Sequence, residues 1–166
     1  MDQNRQKGEN LLKDGCIIAD TSGRTRELKE KSVLALASNK FNYTILLTSS
    51  EKKKIFNKLL KNNFTEERAK AMMHSVKLYY GLKNYISSCP AFYICSEGFN
   101  PGFIKEYLRR LMGYTYHEKK INILTSLIPL FGKKNIADRA AWEVNKNGKR
   151  PNLILTERHF KELNLI

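Results

Sequence analysis

The chain has 166 residues, room for one compact domain rather than two, and 42% of them are apolar, close to the globular average. Lysine and arginine number 30 against 16 aspartates and glutamates, a formal net charge of +14. A field of that sign gathers polyanions, so nucleic acid is the first partner expected and an anionic membrane surface the second. No apolar run approaches the ~18 residues of a membrane span, which argues against a membrane protein. The opening MDQNRQKGEN is polar and lacks the apolar stretch of a secretory signal. Cys16, Cys89 and Cys95 form no CxxC pair, which argues against a disulfide framework or a cysteine zinc site. A reducing, cytoplasmic compartment is the simpler expectation.

In chain order, residues 1–15 form a polar N-terminal segment and residues 16–166 a single domain. Cys16 to Asp20 is a short apolar run closed by the turn chemistry of Thr21-Ser22-Gly23. A charged stretch leads to a second run, Val33 to Ala37, and the turn at 39–42 to a third, Tyr43 to Thr48. Periodicity then becomes helical. Ile55, Phe56, Leu59 and Leu60 recur among lysines. Beyond Asn62-Asn63, Thr65 is a suitable N-cap before a core stripe of Ala69, Met72, Met73, Val76 and Tyr80. Ala91 to Cys95 reads as a buried strand, Phe103 to Met112 as a helix, Ile121 to Phe131 as a fifth strand limited by Pro129, and Asn135 to Val144 as a last clear helix. The tail from Leu153 fits a strand or an extended turn. The expected fold is α/β: a mixed five-stranded sheet in the order β-β-β-α-β-α-β-α, with helices on both faces.

Three acids stand out by position. Asp20 ends the first strand, Glu97 follows the fourth, and Asp138 lies in the first turn of the last clear helix. Ligands of open α/β sheets collect at the carboxyl ends of neighbouring parallel strands, where Asp20 and Glu97 would meet and the helix could bring Asp138. Clustered carboxylates repel unless a cation holds them, and an oxygen-only site suits magnesium or manganese, with two ions possible. Such ions activate water and stabilise the leaving oxygen in phosphodiester cleavage. Each acid also has a local role available: Asp20 as an Asx-turn starter, Glu97 as a turn residue before Gly98, and Asp138 as the third residue of a helix capped by Asn135.

The segments Ile17-Ile18-Ala19-Asp20-Thr21-Ser22-Gly23, Phe92-Tyr93-Ile94-Cys95-Ser96-Glu97 and Asn135-Ile136-Ala137-Asp138-Arg139-Ala140-Ala141 resemble, in order and placement, the ribonuclease H-like superfamily, over roughly residues 15 to 145. Its members carry an acid on strand one, a second on strand four and a third on a late helix. A glutamate at the strand-four position is closer to the Holliday-junction resolvase branch, in which a further metal ligand precedes the helix acid by three residues; here that residue is Asn135. Ribonuclease H proper adds a glutamate from its first helix, for which Glu66 and Glu67 are candidates. The resemblance implies a magnesium-dependent nuclease with Asp20, Glu97 and Asp138 as catalytic metal ligands and Asn135 beside them, and a possible homodimer.

His74 lies beside the core stripe, and His117 and His159 have no ligand spacing between them. Trp142 is expected to pack. Tyr114 and Tyr116, among Arg109, Arg110, Lys119 and Lys120, offer a stacking surface for bases. Among the basic clusters, Lys133, Lys134, Arg139, Lys149 and Arg150, with Arg109 and Arg110, are the expected contacts to RNA or DNA. The alternatives are a non-catalytic nucleic-acid-binding protein on the same scaffold and a lysine-rich interaction protein.

Overall fold

Runs of β-branched and leucine side chains form a meander of three antiparallel strands, β1 (Ile17–Ser22), β2 (Ser32–Ala37) and β3 (Asn42–Leu47), in the computed structural model, which describes residues 3–166. β4 (Phe92–Cys95) joins β1 in parallel, and β5 (Ile121–Leu124) joins β4 in parallel. β6 (Leu153–Leu155) pairs in parallel with β3. The sheet order is β5-β4-β1-β2-β3-β6, and every strand except β2 runs in one direction.

The sheet therefore has six strands, not five. The expected strand over 121–131 stops at Leu124, and Ile128–Phe131 is a short helix, α5. Proline cannot donate to a strand ladder, but its missing N–H costs nothing in a helix's first turn, where Pro129 sits. The tail supplies the additional strand at the β3 edge.

Both sheet faces are covered. Ile17, Ala19, Leu34, Leu36, Ile45, Phe92 and Ile94 point into the larger core, under α2 (Ser49–Lys61), α3 (Glu66–Leu82), α4 (Pro101–Met112) and α7 (Glu157–Glu162). Ile18, Val33, Ala35 and Ala37 point the other way, beneath α6 (Ile136–Lys146). Thr48 and Thr65 cap α2 and α3 by accepting the N–H groups of Glu51 and Arg68. Gly81 lets α3 close on the sheet, because a Cβ there would stand 2.4 Å from Leu36 Cδ1. The polar N-terminal segment forms α1 (Gln3–Lys13), which packs on α5 with Leu12 in the smaller core. Among the described residues no helix is long and apolar enough to cross a membrane.

Candidate active site

β1 delivers Asp20 to the face covered by α6, since Ile18, two residues earlier, points there as well. The loop before α6 meets it through Asn135. The Asn135 Oδ1 accepts the N–H groups of Ala137 at 3.0 Å and Asp138 at 2.9 Å, capping the helix. The Asn135 Nδ2 donates to Asp20 Oδ2 at 2.8 Å, while the Thr21 N–H donates to Asp20 Oδ1 at 2.9 Å. A single buried amide thus ties the end of β1 to the start of α6, and Asp138 rides on the first turn of that helix.

The acids feel one another. Burial raises the pKa of Asp20, opposed by the hydrogen bonds from Asn135 and Thr21 and reinforced by the negative charge of Glu97. Burial also raises the pKa of Asp138, and the Asp20 charge adds to this while Lys134 opposes it. The Cys95 thiol hydrogen-bonds to Asp20. Its pKa is pushed up to about 11, first by burial and with the Asp20 and Glu97 charges adding, so it stays protonated.

Glu97 turns away. Tyr93 and Cys95 point toward the α6 face, so a continued pleat would aim residue 97 there too. The strand ends at Cys95, however, and Glu97 adopts a left-handed φ of 56°, followed by Gly98 at 77°. Its carboxylate instead meets the β1–β2 loop and α3. The Thr25 N–H donates to Oε1 at 2.9 Å and the Thr25 hydroxyl to Oε2 at 2.6 Å. His74 Nδ1 stands 3.0 Å from Oε2, and the Lys77 ammonium donates to the same Thr25 hydroxyl and to Ser32. Burial alone would raise the Glu97 pKa. The nearby Lys77 and His74, with the Thr25 hydrogen bond, outweigh it and hold the carboxyl well below the usual range. Burial in turn lowers the Lys77 pKa.

The remaining expected ligands sit elsewhere. The Asn135 oxygen is occupied by the α6 cap, and its amide N–H faces Asp20, so it presents no free acceptor. Glu66 and Glu67 are exposed on the first turn of α3 beside Arg26 and Lys70. Among the described residues no three His, Cys, Asp or Glu side chains come together as metal ligands would.

No family model, curated protein or solved structure matches the chain.

Of the basic candidates, Lys134 and Arg139 border the cleft that contains Asp138, with Lys133 exposed on the adjoining loop. Lys149 and Arg150 follow the opposite end of α6, where the Lys149 N–H donates to the Glu143 carbonyl. Arg109 and Arg110 end α4, with Arg109 paired to Glu118 at 2.7 Å and lying over Tyr116. Because α4 leaves the carboxyl end of β4 and returns the chain to the start of the parallel β5, its last turn lies toward the sheet edge opposite the acids. Tyr114 is fully exposed there. Trp142, expected to pack, is 46% exposed.

Two buried lysines escaped the sequence reading. Lys77 lies four residues after Met73, on the core stripe of α3. Lys52, inside a run of three lysines, lies three residues before Ile55 on the apolar side of α2. A lysine at an apolar helical position was the available signal in both cases. The Lys52 ammonium donates to the carbonyls of Arg24 at 2.7 Å and Glu27 at 3.1 Å, and burial, then the Lys77 charge, lowers its pKa to about 8.

Proposed function

We propose that the chain is a metal-dependent nuclease of ribonuclease H-like architecture that hydrolyses phosphodiester bonds in nucleic acid. The carrying observation is the Asn135 bridge, which holds Asp20 at the carboxyl end of β1 against the helix turn bearing Asp138. Support also comes from the three-strand meander and from the parallel pairing of β4 with β1 and β5 with β4, which the element order β-β-β-α-β-α-β-α calls for and to which β6 is an edge addition.

The chemistry of the two aspartates fits one hard divalent cation, magnesium or manganese. They are oxygen donors, partly desolvated, and each charge that raises a neighbour's pKa is one that a cation would relieve. Glu97 does not fit as a ligand in its present arrangement, because Thr25 and His74 already occupy its oxygens. A bound divalent ion would supply an activated water and neutralise charge on the phosphoryl oxygens. The protein's own share is positional. Asn135 fixes the direction of the Asp20 carboxylate, and Lys134 and Arg139 are placed to hold backbone phosphates beside it.

The test is cleavage of labelled RNA and DNA with and without magnesium. The Asp20→Asn variant should remain folded and lose about a hundredfold or more of the rate, while Asn135→Ala should lose about 10–100-fold. Magnesium-independent cleavage, or full activity in Asp20→Asn, would refute the proposal. The second reading, a nucleic-acid-binding protein without catalysis, is favoured by the internal neutralisation of Glu97. It calls for salt-sensitive binding that needs no divalent ion and produces no cleavage.

A further inference from the structure

Trp142 is the chain's single tryptophan, and it lines an open cleft of about 350 Å³ with Lys134, Asp138, Arg139 and Glu143. Among the described residues its ring has no aromatic or cationic partner, unlike Phe99 and Tyr116, which lie under Arg26 and Arg109. Asp138 and Trp142 are four residues apart on α6 and so share one face, with Cβ atoms ~5–6 Å apart.

We propose that this cleft binds one unpaired nucleobase of single-stranded nucleic acid, stacked on Trp142, with the flanking phosphates held by Lys134 and Arg139. The inference rests on the nuclease reading for its substrate class and adds a base-binding subsite to it. The two acids of the lining, Asp138 and Glu143, are balanced by its two bases, Lys134 and Arg139, so the cleft carries no net charge and the exposed ring is the feature that a flat, uncharged group would meet. Lys134 and Arg139 offer the phosphates on either side of that base a cationic seat. Base-on-aromatic stacking tolerates any base, so the subsite selects for an unpaired strand and not for a sequence.

A sole tryptophan makes the test direct. The full chain, in chelator so that nothing is cleaved, is titrated with a short single-stranded oligonucleotide and with an abasic strand of equal length. Binding is followed in parallel by the anisotropy of end-labelled strands. The expected result is quenching of Trp142 emission by the base-bearing strand and not by the abasic one. Trp142→Ala should bind the base-bearing strand about tenfold more weakly, with Trp142→Phe close to wild type. Equal quenching by the abasic strand, or unchanged affinity in Trp142→Ala, overturns the proposal. Emission that depends on protein concentration without any oligonucleotide also overturns it and assigns the cleft to a second copy of the chain. Binding with unchanged Trp142 emission sinks the subsite alone. Base-specific quenching by a protein that shows no magnesium-dependent cleavage leaves the subsite standing and sinks the hydrolytic reading.

Discussion

Asp20 and Glu97 leave neighbouring parallel strands at the same sheet edge, yet their charges are answered differently. Glu97 is turned into the protein, where Thr25, His74 and Lys77 surround it and its pKa falls. Asp20 is turned toward α6, where its hydrogen bonds come from an uncharged amide, a backbone N–H and the Cys95 thiol, a second carboxylate stands near it, and its pKa rises. One acid has received its counter-charge from the chain and the other has not. Sequence position alone made the two look equivalent. The difference arises from one residue of backbone, the left-handed turn at Glu97 that carries its side chain across the sheet edge. A non-glycine residue in that conformation is strained, and the three groups on its carboxylate, the Thr25 N–H and hydroxyl and His74, hold it there with the Lys77 charge nearby.

The largest expected effect comes from breaking the answered side. Lys77→Met or Glu97→Gln alone leaves an uncompensated buried charge and should cost about 3–5 kcal/mol in urea unfolding. The double variant should recover most of that loss, because the surviving charge goes too. Strictly additive losses would show that the two groups are not coupled.

A sharper discrimination uses pH. The folded-state pKa of Glu97 is depressed, so its contribution is fully present above the ordinary value of 4.5 and is lost as pH falls below it. The advantage of wild type over Glu97→Gln should therefore shrink in acid. The folded-state pKa of Asp20 is raised, so ionising it weighs against the fold at neutral pH. Asp20→Asn should then match or exceed wild-type stability at pH 7, with the gap closing as pH falls toward 3.8. Chemical denaturation of both variants across this range tests the opposite signs, and parallel pH profiles would remove the distinction between the two acids.

The smallest effect concerns Lys52, which pins the same loop that carries Thr25. Its pKa is depressed to about 8, so the charged form weighs against folding below that pH and the burden lifts between 8 and 10.5. Relative to Lys52→Met, wild-type stability should rise modestly across that interval; a flat difference would mean that the ammonium is well solvated.

Much of the architecture was legible because it depends on local signals. The three-strand meander, the Thr65 cap, the core stripe of α3 and the helix begun by Asn135 all sit where pattern and capping chemistry place them. The fifth strand was overextended because Ile128, Leu130 and Phe131 carry a strand-like composition, and only Pro129 in a helix's first turn reveals the change. The pairing of β6 depends on β3, whose residues are more than a hundred positions away, and three residues carry too little pattern to announce it. At the site, the Asn135 amide links the end of β1 at Asp20 to the first turn of α6, which bears Asp138. The diversion of Glu97 was not legible, because it follows from one dihedral angle and from two lysine-bearing helices whose solvent-facing appearance in a charged sequence hides their role.

The reach of Asn135 back to Asp20 spans 115 positions. A chain still emerging from the ribosome can complete the meander, and much of its positive surface, well before α6 exists. Until that helix docks, the two aspartates remain apart and their mutual repulsion is absent. The electrostatic tension of the site therefore requires α6, and a product truncated before it would keep much of the positive charge without the paired acids.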